Sequence, residues 1–396
     1  MNYRGGSMIG RAVAAGLLSL AVSAPALAAD YEIHAILPLT GNAAFLGREQ
    51  QALLRILEPS INAKDGIAGR PLRFVYHDDQ TSPQISVQLA NEVLAAHPAV
   101  ILGPSITAMC NAVAPLMQNG PVMYCLSPGI LPPPGGYVFS ASVQTEKLNE
   151  ALIRYFRLKG WTRIAMLSSI DATGQDADRG VDRTLALPEN AGVTLTEHAH
   201  FNPTDVSVTA QIERIKASSA QALIAWTTGA QVATIFKALI QSGLDIPVGT
   251  SPGNQEYEQL AQYQGFLPPK LVIPSCLYPE HDGVYRLDPR VETVQHEMYG
   301  LLAAAGRKSD NAAGTAWDPA LIVVDALRHL GPDADATQIR QYIASLDDFP
   351  GIDGIYNFRK VPQRGIDVDD IAIVRFDADK KQWVWLSKPG GVPLEP

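Results

Sequence analysis

Short β-branched runs that alternate with amphipathic helices constrain this chain more than any other feature. Tyr31–Leu37 reads as a strand, Arg48–Ala63 as a helix, Leu72–His77 as a strand and Pro83–His97 as a helix, followed by a strand at Ala99–Leu102. Within Pro83–His97, Ile85, Leu89, Val93 and Leu94 gather near one face, so that helix covers a sheet. A helix over Ile106–Gln118 and a strand over Pro121–Leu126 complete a run of βα units, whose crossovers demand a mostly parallel sheet. A second series starts after Tyr137–Ser142, with helices over Thr145–Lys159, Asp176–Leu187, Val206–Ala217 and Gln231–Gly243 between strands at Arg163–Ser168, Val193–His198, Ala222–Trp226 and Ile246–Val248. After Leu271–Ile273 come three helices without strands between them, Val291–Ala305, Pro319–Leu330 and Thr337–Ser345, and then paired strands at Ile371–Phe376 and Gln382–Leu386. The late helices have no sheet of their own and must pack on an earlier one, so the chain passes between two α/β lobes several times.

The ends and the charge narrow the class further. Arg4 and Arg11, the apolar stretch Ala12–Ala24 and the small-x-small site Ala26-Leu27-Ala28 predict an export signal over residues 1–28. That stretch is short of the roughly 20 residues a membrane span needs, and no later run approaches that length. The expectation is a protein free outside the inner membrane, with no membrane insertion and acting as a monomer. A formal charge of −9, made more negative by loss of the two leader arginines, repels phosphate backbones and argues against nucleic acid as a partner. Cys110 and Cys125 flank one predicted helix and strand; a disulfide between them and three separate buried thiols both stay open.

Open α/β sheets bind ligands at the carboxyl ends of their strands, here the loops Pro38–Gly47, Gly103–Thr107, Ser127–Leu131, Ser169–Gly174, Thr227–Gly229 and Gly249–Asn254. Most carry hydroxyls and glycines ahead of a helix, and free helix N–H groups suit a carboxylate. Each alone reads more readily as an ordinary cap; six converging loops argue for a site. No G-x-G-x-x-G follows the first strand, and no P-loop, H-E-x-x-H or C-x-x-C occurs, so neither an enzyme nor a cofactor or metal is expected.

At these loops the chain resembles the leucine/isoleucine/valine-binding family of periplasmic proteins. The resemblance rests on Leu39-Thr40-Gly41, Phe45-Leu46-Gly47, the run Ile61–Leu72, His77-Asp78-Asp79, Leu102-Gly103-Pro104 and Leu126-Ser127-Pro128-Gly129, in that order along the chain. It implies a type I periplasmic-binding fold of two doubly wound lobes, residues 29–142 with 277–354 and 143–276 with 355–396. Three hinge crossings near Ser140–Gln144, Pro274–Tyr278 and Gly354–Asn357 would join them. It also implies a small organic ligand caught by lobe closure and delivered to an inner-membrane ABC permease. Carried over by position, the ligand-binding residues are Phe45, Leu46, Thr107, Ser127, Gly129 and Leu131 from the first lobe, and Thr173, Thr228 and Ser251 from the second, with Trp226 at a strand end beside them. Leu131, Thr173 and Ser251 stand where the family's amino-acid binders hold polar or charged groups, which points to an apolar or aromatic carboxylate, with an amino acid as the alternative. Asp171 and Asp176 are the candidates for a missing countercharge. The same fold would serve a ligand-sensing partner of a signalling or dehydrogenase system.

Overall fold

The computed structural model describes Met1 and residues 29–280, 283 and 285–395. The predicted export signal lies outside the described residues. Two sheets organise the chain. The first is fully parallel, in the order β2 (Leu72–Asp78), β1 (Tyr31–Leu37), β3 (Val100–Leu102), β4 (Val122–Cys125), β5 (Val138–Ser140). Its strands read as buried apolar runs because helices cover both faces. One face holds α2 (Pro83–Leu94) and α3 (Thr107–Val113) over Ile36, Ile101, Met123 and Cys125. The other holds α1 (Ala44–Asn62), whose Leu53, Leu54 and Leu57 point inward.

The second sheet contains β6 (Arg163–Ser169), β7 (Thr194–Phe201), β8 (Ala222–Trp226), β9 (Val248–Thr250) and β10 (Leu271–Ser275) in parallel, with β7 at one edge. The other edge is extended antiparallel by β13 (Ala372–Asp377) and β14 (Gln382–Trp385). Helices α4 (Thr145–Leu158) and α5 (Ala172–Leu185) cover one face, and α6 (Thr209–Ala217), α7 (Val232–Ser242) and α8 (Tyr257–Gln262) the other. The strandless helices α9 (Pro289–Ala304), α10 (Asn311–Leu330) and α11 (Ala336–Ser345) return to the first lobe, α10 lying along α1.

The chain passes between the lobes between β5 and α4 and again just after β10. The third crossing comes later than Gly354–Asn357. The short pair β11 (Phe349–Pro350) and β12 (Ile355–Tyr356) is followed by Phe358, which packs edge-on against Phe139 of the first lobe. Gln363 then donates to the carbonyls of Gly136 and Val138. The aromatic core and these buried hydrogen bonds keep the chain on the first lobe as far as Gln363, so residues 355–363 do not belong with the second.

Three predicted helices start at least four residues too late, the first being α1, which opens at Ala44 instead of Arg48. Asp310 caps α10 through the Ala312 N–H, so the helix begins at Asn311 and runs through Pro319, which sequence alone marks as a start. Asp171 caps α5 in the same way and brings its start forward from Asp176 to Ala172. Cys110 and Cys125 form a disulfide that ties α3 to β4, and Cys276 is a buried free thiol. Among the described residues no helix is long and apolar enough to cross a membrane.

Candidate functional site

The strand ends of both lobes meet in one cleft. Its walls include Leu46 at the start of α1, Thr107 at the first position of α3, Ser127 after β4, Thr173 in the first turn of α5, Trp226 at the end of β8, Thr228, and Ser251 after β9. The lobes stand nearly shut. The cavity between them is about 30 Å³, the space of about two water molecules. Ala230 N–H donates to the Asn42 carbonyl at 3.0 Å and Asn311 N–H to the Gln255 carbonyl at 3.0 Å, both across the lobe boundary. Phe45 meets Tyr263 of the other lobe edge-on at 6.4 Å; its ring serves the closed interface and does not line the cavity.

The two walls repeat one device. After β4 the chain reads Ser127-Pro128-Gly129, and after β9 it reads Ser251-Pro252-Gly253. Each serine hydroxyl accepts from the glycine N–H two residues on, at 3.4 and 3.2 Å. Each also pairs with a threonine hydroxyl from the neighbouring loop, Thr107 at 3.1 Å and Thr228 at 2.9 Å. The glycines make those pairs possible: a Cβ on Gly129 would sit 2.2 Å from Thr107 Oγ1, and one on Gly253 2.5 Å from Thr228 Cγ2. Gly129 therefore acts beneath the cleft wall, by clearing space for Thr107.

Leu131 is a correction. It is 59 % exposed and borders a separate groove with Pro132, Pro133 and Tyr137. The buried Arg364 guanidinium explains this, since it donates to the Pro128 and Ile130 carbonyls at 3.2 and 2.8 Å and to those of Ala141 and Ser142. It pins the loop only to Ile130, and the prolines then carry it outward.

A family model for periplasmic binding proteins matches residues 31–381. The chain belongs to the periplasmic binding protein family. The Leu/Ile/Val-binding protein of Escherichia coli K12 is 35 % identical over 85 residues, 22 % of this chain and 23 % of that protein, so the match spans about a quarter of that relative's length. Two solved structures share the fold at low identity. The branched-chain amino acid transporter substrate binding protein of Streptococcus pneumoniae, in complex with isoleucine, superposes with a TM-score of 0.74 at 14 % identity, covering 90 % of this chain and 99 % of that one. A fatty acid ABC transporter substrate-binding protein from Thermomonospora curvata gives 0.75 at 16 %, covering 92 % and 93 %. The mixed α/β lobes with parallel sheets are thus those of type I periplasmic binding proteins.

In this family member neither expected countercharge faces the cleft. Asp171 accepts from the Thr173 and Gly174 N–H groups at 3.1 Å each and from the Ser169 hydroxyl at 2.7 Å, which is the work of a helix cap. Asp176 lies behind Thr145, paired with Arg179 at 3.3 Å, and burial holds its carboxyl above the ordinary range. No acidic or basic side chain lines the cavity among the described residues. Thr145, Asn311 and Thr315 do line it and escaped sequence reasoning. Thr145 and Asn311 open helices, so a search for first helical residues facing the strand ends would have found them. Gly249-Thr250-Ser251-Pro252-Gly253 has the G-x-S-x-G spacing of a hydrolase nucleophile turn. Ser251, however, bonds Thr228 and the Gly253 N–H, and among the described residues no imidazole lines the cavity to act as its base.

Proposed function

We propose that this protein is the periplasmic capture component of an ABC uptake transporter, without catalytic activity, and that it closes on a small apolar or aromatic carboxylate. One observation carries the ligand class. The cleft joins two Ser–Thr hydroxyl pairs and the N-terminal turns of α4, α5 and α10 to the apolar surfaces of Leu46, Ile106 and Trp226, with no carboxylate in its wall among the described residues. Helix N-termini and hydroxyls stabilise a negative group, and apolar walls take the body of the molecule out of water. An α-ammonium closed into the same space would lack a countercharge, at a cost of several kcal/mol.

Export through residues 1–28 to the periplasm and a monomeric carrier docking on an inner-membrane permease complete this reading. A ligand larger than a few atoms needs the lobes to part and re-close, with α9–α11 moving together with the first lobe. Calorimetry with pairs of amino acids and their deaminated analogues tests it. The expected result is tighter binding of the deaminated acid in each pair, with a smaller radius of gyration by small-angle scattering in its presence. A tenfold preference for leucine or valine over every deaminated analogue would overturn the ligand class.

A further inference from the structure

We propose that the second lobe carries a divalent transition-metal site, of the kind zinc takes, formed by Asp178, His198 and His200 on the face of the sheet covered by α5. His198 and His200 are two residues apart on edge strand β7, so both side chains project from the same face, while Ala199 and Phe201 between and beyond them are buried on the other. Asp178 reaches them from the middle of α5. Each imidazole presents Nε2 to a different oxygen of the one carboxylate: His198 to Oδ1 at 3.0 Å and His200 to Oδ2 at 3.0 Å. One ligand atom from each of the three residues lies within 4.8 Å of the others.

Metal bonds of about 2.0–2.1 Å to nitrogen and oxygen put the ligand atoms of a tetrahedral site about 3.3 Å apart. The three groups therefore need only a small rotation to share one ion. The carboxylate is also held from behind, because Ser168 on β6 donates to Asp178 Oδ1 at 2.6 Å, the kind of outer contact that orients a ligating carboxylate. Asp182 and Glu197 add negative charge near His198, with Glu197 itself paired to Arg214 at 3.1 Å. His200 is 45 % exposed, so a fourth coordination position faces water. Two imidazoles and one carboxylate suit zinc, nickel or copper(II) over the hard cations magnesium and calcium. An ion here would clip the unpaired edge of β7 to α5, and at saturation would raise the thermal midpoint because it binds the folded chain alone.

The experiment uses the full mature chain, untagged and stripped with chelator, titrated with zinc chloride by calorimetry. One saturable site is expected, weakened at least tenfold in each of His198→Ala and His200→Ala. His34→Ala is the control, since His34 and His77 form a second imidazole pair at 3.0 Å in the first lobe; it should bind zinc unchanged. Cobalt(II) should give the visible absorption of a four-coordinate site in the parent chain and lose it in His200→Ala, whose exposed position keeps the fold intact by circular dichroism. Absence of saturable binding, or full binding retained in a His198→Ala/His200→Ala double variant, would overturn the assignment.

Discussion

Gly129 and Gly253 matter for the side chains they lack. Each leaves room for a threonine hydroxyl to reach its serine, and a methyl at either place would meet Thr107 Oγ1 at 2.2 Å or Thr228 Cγ2 at 2.5 Å. Displacing such a hydroxyl loses one polar contact to the ligand, typically worth about 1–3 kcal/mol. Gly129→Ala and Gly253→Ala should thus weaken ligand binding by roughly 5- to 150-fold in calorimetry, as should Thr107→Ala and Ser127→Ala directly. Equal affinity in all four would mean the hydroxyl pairs do not touch the ligand. Strand-end reasoning reached Thr107, Ser127, Thr228 and Ser251 because such loops open into the cleft whatever their detailed turns. It misplaced Leu131 because the outward path of that loop is set by Arg364, more than two hundred residues away in sequence. Such a long-range contact leaves no local signal.

At the scale of elements, the strands were readable as apolar runs, while helix starts were lost wherever two signals competed. Pro319 offers the fixed φ of a first helical residue, yet Asp310 caps the chain nine residues earlier, and the hidden turns bear Asn311 and Thr315 of the cleft. Asp171 shows the same competition for α5, and its role as a cap makes a separable prediction. Asp171→Ala should lower stability by about 1 kcal/mol in denaturant titration, the usual loss for a helix cap. Ligand affinity should stay within about threefold, since the carboxylate points at its own helix; a larger drop confined to amino-acid ligands would make Asp171 the countercharge. The Cys110–Cys125 link, undecided from sequence, closes a short loop under the Thr107–Ser127 wall. Replacing both cysteines by alanine should remove about 2–4 kcal/mol of stability, read from the same titrations.

Closure of the whole molecule brings together two carboxyl groups that neither lobe would bury alone. Glu256, at the entrance of α8 in the second lobe, is fully buried against Asp310, the cap of α10 in the first. Burial pushes Asp310 up to about 7 against the hydrogen bond from Glu256, with Glu49 raising it further and the Ala312 and Tyr257 N–H groups opposing; burial and then Asp310 raise Glu256 well above the carboxylate range. Glu49 is itself held by Arg307, so that cation is engaged with another acid. If parted lobes return both acids to water and to ordinary values near 4, the closed form binds more protons than the open one. For an acid raised in this way, the contribution to closure is fully present below the open-form value. It is lost as pH rises through the closed-form value. Ligand affinity should accordingly fall as pH rises from about 4 to about 7, the span between the open-form and closed-form values of Asp310, by at most tenfold per pH unit for each proton released. In Glu256→Gln the amide can donate to an ionised Asp310, so the pH dependence should flatten in calorimetric titrations across that range. An affinity constant over the whole range in the parent chain would show that the pair keeps its protonation when the lobes separate.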